Sequence, residues 1–254
     1  MFGAKRIPQL SRAHWVPDTS EPVLEVTLGD ALHAAAAQWG EHIALVEGTE
    51  AGGRRWTYAA LLRDSLRAAQ ALSSRFAPGE RVAILAANCP EWVQVEFGAA
   101  LAGLTLVTVN PAFLPKEVAY VLRQSRASGI IVQNRFRGRD LCALIADIRG
   151  ELPELRETLA LDTWQALLTV APANLLPSVA PTDIAQIQYT SGTTGFPKGA
   201  QLTHRGLANN GRFFARALRA GPDDVWVNPM PMFHTAGCGL VTLGALQTGG
   251  RHVL

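Results

Sequence analysis

Residues 189–199, Tyr-Thr-Ser-Gly-Thr-Thr-Gly-Phe-Pro-Lys-Gly, gather three glycines and four Ser or Thr hydroxyls around one lysine. Glycine lets backbone amides approach a ligand with no Cβ in the way, and successive N–H groups can line a concave nest for anionic oxygens. Phosphate suits that chemistry. The hydroxyls of Thr190, Ser191, Thr193 and Thr194 can add hydrogen bonds, Gly192 and Gly195 leave room for the turn, and Lys198 supplies a point charge for the β- and γ-phosphates of a nucleotide. A Walker loop is a poor match, because Pro197 rather than Gly precedes the lysine and Gly199 follows it instead of Ser or Thr. The plain alternative is a surface turn whose small polar residues only shape the chain.

Such a loop needs a strand before it and a helix after it. Ile184–Thr190 alternates as a strand, and Leu207–Leu218 carries an apolar face at helical spacing. Upstream, residues 28–39 predict a helix that ends at a left-handed Gly40, followed by a strand over 43–46. Thr57 is placed as an N-cap for a helix whose apolar face holds Tyr58, Leu61, Leu62, Leu66, Ala69 and Leu72. Residues 81–87 read as a buried strand, 90–103 as a helix, 104–109 as a strand, a helix from Pro115, 129–132 as a strand and 141–148 as a helix. Strand and helix alternate, which predicts an α/β fold with a mostly parallel sheet. Three prolines in residues 170–182 (Pro172, Pro177 and Pro181) suggest a linker, and we expect one subdomain over 1–180 and the start of a second over 181–254.

Bulk properties exclude several classes. Of the residues, 48% are apolar, enough for a packed core, and 23 Lys plus Arg stand against 21 Asp plus Glu without clustering. No basic stripe points to nucleic acid or a membrane surface. No apolar run approaches the roughly 20 residues that span a bilayer, and MFGAKRIPQL does not read as a signal peptide, so a cytoplasmic location is expected. Cys89, Cys142 and Cys238 are too scattered for a metal site or a disulfide framework and are expected to be buried thiols.

Residues 189–199 closely resemble the phosphate-binding signature of the adenylate-forming, AMP-binding superfamily, which includes acyl-CoA ligases, luciferases and the adenylation domains of peptide synthetases. Three further stretches are similar to the same family: WTYAALLRDSLRAAQAL, RVAILAANCPEWVQVEFGAALAGLTLVTVNPAF and PMFHTAG, so that the resemblance runs from about Trp56 to Leu254. It implies an incomplete N-terminal domain of the adenylate-forming fold, with parallel sheets flanked by helices. Peptide-synthetase domains carry an Asp where this chain has His234, and an imidazole cannot replace a carboxylate opposite a desolvated ammonium without a cost of several kcal/mol. The pattern instead resembles acyl-CoA ligases, in which this His lies near the substrate carboxylate and the adenylate.

The resemblance implies that a carboxylic acid, expected to be a fatty acid, attacks the α-phosphorus of MgATP, and that the thiol of CoA then displaces AMP. ATP, Mg²⁺ and CoA are the implied cofactor and co-substrates. The family's ribose-binding Asp, Mg²⁺-associated Glu and catalytic lysine have no matching positions here, so no catalytic residue and no metal ligand is assigned. Apolar surface left uncovered would favour self-association. Two other readings share the loop: a non-catalytic nucleotide-binding or interaction module, and an adenylation domain loading an acyl carrier protein.

Overall fold

In a computed structural model, residues 14, 21–49, 52–169, 175–190 and 197–254 are described. Regular structure starts at Thr27, where a capping box forms: the Thr27 hydroxyl accepts from the Asp30 amide and the Asp30 carboxylate accepts from the Thr27 amide. Helix α1 (Leu28–Trp39) follows, and then β1 (Ile43–Val46) and β2 (Arg55–Thr57). Gly40 is right-handed, with φ −43 and ψ −44, and does not close the helix in the left-handed form expected. Its carbonyl is taken by the Ala59 amide at 3.0 Å, so the turn is held from the next helix.

Thr57 caps α2 (Tyr58–Ser73) by accepting from the Ala60 amide at 3.1 Å, as its position implied. After α2 the chain alternates: β3 (Arg81–Leu85), α3 (Pro90–Leu101), β4 (Thr105–Val109), α4 (Pro115–Ser125) and β5 (Gly129–Val132). A hairpin of β6 (Arg135–Phe136) and β7 (Arg139–Asp140) leads into α5 (Leu141–Ile148), β8 (Glu157–Ala160) and α6 (Trp164–Thr169). The last part holds β9 (Ile184–Thr190), β10 (Lys198–Thr203), α7 (His204–Leu218), β11 (Val225–Val227), a π-helical turn over Ala236–Thr242, α8 (Leu243–Thr248) and β12 (Arg251–Val253).

The main sheet has six strands in the order β10-β9-β4-β3-β5-β8, all parallel except β10, which runs antiparallel to β9. This is the expected α/β class. One sheet therefore draws strands from both sides of residue 180, and residues 170–174 of the expected linker lie outside the described residues. A second sheet, β11-β12-β1-β2, joins the C-terminal strands to the N-terminal ones.

Two apolar layers cover the main sheet. Leu72, Phe97, Trp92 and Leu104 belong to one, and Val118, Val121, Leu122 and Ile145 to the other. Helix α3 is buried nearly all round, which explains why its sequence shows apolar residues without a polar face. It packs so closely on α2 that a Cβ at Gly98 would lie 2.6 Å from the Ala68 Cβ. Cys238 is buried as expected, whereas Cys89 and Cys142 are only half-buried, because they sit at helix starts where the sheet layers end. No helix among the described residues is long and apolar enough to cross a membrane.

Candidate functional site

The glycine-rich segment joins β9 to β10, and Thr190 and Lys198 face each other as the final pair of that antiparallel ladder. Ser191, Gly192, Thr193, Thr194 and Gly195 lie outside the described residues, so of the expected phosphate set the structure places Thr190 and Lys198. Both are exposed, at the carboxyl end of β9. Lys198, expected in the loop, is the first residue of the edge strand β10.

Helix α4 holds the base of this hairpin. The Tyr120 hydroxyl donates to the Pro197 carbonyl at 3.1 Å and itself accepts from Gln124 Nε2, while the Tyr189 hydroxyl donates to the Val121 carbonyl at 3.3 Å. Burial pushes the Tyr189 phenol up to about 12, so it stays a donor at neutral pH. Gly199 faces Tyr189 across the pair, and a Cβ there would come within 3.2 Å of the ring. An aromatic side chain therefore lies over glycine beside the lysine.

His234 sits on the turn before the π-helical segment and is exposed. Its Nδ1 accepts from the Ala236 amide at 3.1 Å, so a single ring proton would lie on Nε2, where it can donate to an anionic oxygen. The two residues beside it are tied to neighbouring strands. Thr108 of β4 donates to the Phe233 carbonyl at 2.8 Å, and Thr235 donates to Gln188 Oε1 of β9 at 2.6 Å. Thr108 and Gln188 are themselves register partners in the sheet. Asn88, after β3, clamps the preceding residues by accepting from the Met232 amide at 2.9 Å and donating to the Met230 carbonyl at 2.8 Å. Three strand ends thus hold the His234 turn at the same end of the sheet as Thr190 and Lys198.

His204, given no site role from sequence, opens α7. It is buried, with Nδ1 accepting from the Leu28 amide at 3.3 Å, and burial pushes its pKa down to about 4. It is a neutral core histidine.

A cleft of about 570 Å³ opens at the carboxyl ends of β3 and β4, with Asn88, Asn110, Phe136, Arg137, Pro231 and Phe233 on its walls. Helix α3 leaves β3 on one face of the sheet and α4 leaves β4 on the other, and open α/β sheets bind ligands at such a reversal. The wall of that cleft includes Phe233, the neighbour of His234, but neither His234 nor Lys198 itself, and a separate hollow of about 450 Å³ between α1 and α7 likewise contains neither. Arg212 and Arg216 on the wall of this hollow are both engaged by Glu21, and among the described residues it offers no free cation for a phosphate.

Comparisons with known proteins show the family. The AMP-binding enzyme family matches residues 32–254, and the chain belongs to that family. The match begins upstream of Trp56, where the resemblance read from sequence started. Acyl-CoA ligase sidI of Beauveria bassiana is 34% identical over 246 residues, which cover 91% of this chain and 42% of that protein. Crotonobetaine/carnitine–CoA ligase of Citrobacter koseri is 31% identical, over 86% of this chain and 44% of its own length. Among solved structures, the anthranilate CoA ligase AuaEII in complex with anthranoyl-AMP superposes with a TM-score of 0.81 at 26% identity, over 92% of this chain and 45% of that one. The chain spans less than half the length of the curated relatives it matches.

Proposed function

We propose that this chain supplies the ATP-phosphate and carboxylate-recognition part of an acyl-CoA ligase that activates a hydrophobic carboxylic acid, a fatty acid in our reading. In the first step an oxygen of the acid attacks the α-phosphorus and pyrophosphate leaves. In the second the CoA sulfur attacks the acyl carbon, and AMP leaves with the electron pair of the broken C–O bond. The observation that carries the reading is the common placement of Lys198, Thr190 and the His234 turn at the carboxyl end of the sheet.

Roles follow from the chemistry of each group. Lys198 and the segment it closes hold the β- and γ-phosphates, so the departing pyrophosphate is stabilised in place, and such positioning with charge stabilisation accounts for most of phosphoryl-type catalysis. His234 Nε2–H donates to the carboxylate of the acid and then to the acyl-adenylate. Mg²⁺, if carried in as MgATP, would supply neutralisation of phosphate charge beside Lys198 and Thr190.

Two features favour a hydrophobic acid. Residue 234 offers no carboxylate to an α-ammonium group, and the segment after it is small and apolar, with Gly237, Cys238 and Gly239 buried. Carboxylate-dependent ATP–pyrophosphate exchange with acids from acetate to palmitate and several amino acids tests the proposal. Exchange with fatty acids and none with amino acids is expected; silence across the whole panel refutes adenylation by this chain.

A further inference from the structure

A row of buried polar side chains runs down from the His234 turn into the core. Thr235 Oγ1 donates to Gln188 Oε1 at 2.6 Å, Gln188 Nε2 donates to Gln186 Oε1 at 2.8 Å, and Gln186 Nε2 donates to Glu96 Oε1 at 2.7 Å. Gln188, Gln186 and Glu96 are 4%, 1% and 1% exposed, so no bulk water stands in for any of these bonds. All three bonds point the same way, from the surface turn to a carboxyl on α3. Each polarises the next in a medium of low dielectric, which makes such a row stiffer than its separate bonds. Cys238 braces it from the side: Gln188 Nε2 donates to its sulfur at 3.1 Å, and the sulfur lies 3.4 Å from both Gln186 Oε1 and the His234 carbonyl.

Glu96 is an unusual choice for this depth. Its second oxygen, Oε2, is buried with no partner among the described residues, and no cation lies close enough to offset its charge. Burial pushes the carboxyl up to about 8, with a smaller opposing pull from the Gln186 donation, so it is protonated at neutral pH and serves as the terminal acceptor. An apolar side chain would pack α3 against β9 without that desolvation cost but would leave Gln186 Nε2 unpaired. Among the described residues, the surface group the row reaches is the turn at Thr235.

We propose that Glu96 is a positioning residue: through Gln186 and Gln188 it fixes Thr235, and with it the turn that presents His234. The inference rests on the reading that this turn is the carboxylate end of the site, and NMR of the whole chain separates the two questions. Glu96→Met removes the terminal acceptor at similar volume, Glu96→Gln keeps it, and Ser65→Ala alters a buried hydroxyl outside the row. Glu96→Met is expected to move the Thr235 methyl and His234 ring signals, and Glu96→Gln to leave them near their original places. Thr235 and His234 signals that stay as still in Glu96→Met as in Ser65→Ala overturn the proposal.

Should Glu96→Met not fold, Thr235→Val reads the row from its other end. It is expected to shift the side-chain amide signals of both Gln188 and Gln186, and a shift confined to Gln188 overturns the relay. In ATP–pyrophosphate exchange, Glu96→Met is expected to raise KM for the acid about tenfold while KM for ATP stays within about twofold, the pattern of a misplaced acid-binding group. Equal changes in both constants, or none, overturn the positioning role. A wild-type chain that exchanges with no acid refutes the proposed function and leaves the NMR comparison to decide this inference.

Discussion

Replacing Glu96 with Gln isolates the cost of keeping an ionisable group in the core. The carboxyl has an ordinary value of 4.5 and is raised to about 8 in the folded chain. Between those values the native state keeps its proton and the unfolded state releases it, so stability is full below pH 4.5 and falls as pH rises towards 8. In the middle of that window each pH unit costs about 1.4 kcal/mol, and from pH 5 to pH 8 the loss reaches about 3.5 kcal/mol. Glutamine never ionises in either state and retains the acceptor for Gln186 Nε2. The extra buried N–H it brings is a pH-independent penalty of about 1–3 kcal/mol. Urea unfolding followed by the fluorescence of the six tryptophans, at pH 5, 6, 7 and 8, gives the stability difference between the two proteins. That difference should move in favour of the variant by about 3.5 kcal/mol across the series, and contributions from surface carboxylates such as Glu80 cancel because both proteins share them. Parallel pH profiles would refute the buried, protonated state of Glu96.

Other expectations can be checked separately. Lys198→Ala should weaken ATP binding about tenfold and AMP binding about twofold or less, by calorimetry, since the lysine is assigned to the β- and γ-phosphates; equal losses contradict that role. Asn88→Ala removes two hydrogen bonds to residues 230–232 and should cost about 1–3 kcal/mol in urea unfolding, together with a higher KM for the acid. Gly98→Ala forces a methyl against Ala68 where α2 and α3 touch, and a loss of about 1–3 kcal/mol is expected in the same assay.

Much of the architecture was legible because local chemistry and burial agree. The caps at Thr57 and Pro115, and the unbroken apolar runs of β3, β4 and β5, each point to one element, and the structure has those elements within a few residues. Short or exposed strands left no such signal. Lys198 and Gly199 read as loop and residues 200–203 give no strand signal, because Lys198, Gly199, Ala200 and Gln201 are exposed and carry no two-residue apolar alternation; their strand is imposed by pairing with β9. The strands β8, β11 and β12 are only three or four residues long, too short for a pattern to stand out. At the site, motif chemistry singled out Thr190, Lys198 and His234, but not Tyr120, Asn88, Thr108 or Gln188, which act on residues 47–144 positions away in the chain. A lone Gln or Thr inside an apolar strand offers one signal, a polar group where none is needed for packing, and Glu96 on an otherwise buried helix offers the same.

The pairing of Thr190 with Lys198 also bears on the entropy of ligand capture. Seven residues, 191–197, separate the two partners, and tying the ends of a free segment of that length would cost about 1.7 kcal/mol beyond a constant. The ladder of β9 and β10 meets that cost when the chain folds, with the Tyr120 bond to Pro197 as a second tether. On the phosphate role proposed for Lys198, an arriving triphosphate would meet a lysine already brought back to the strand that carries Thr190, and its attraction to the protein could go into contacts rather than into gathering the chain.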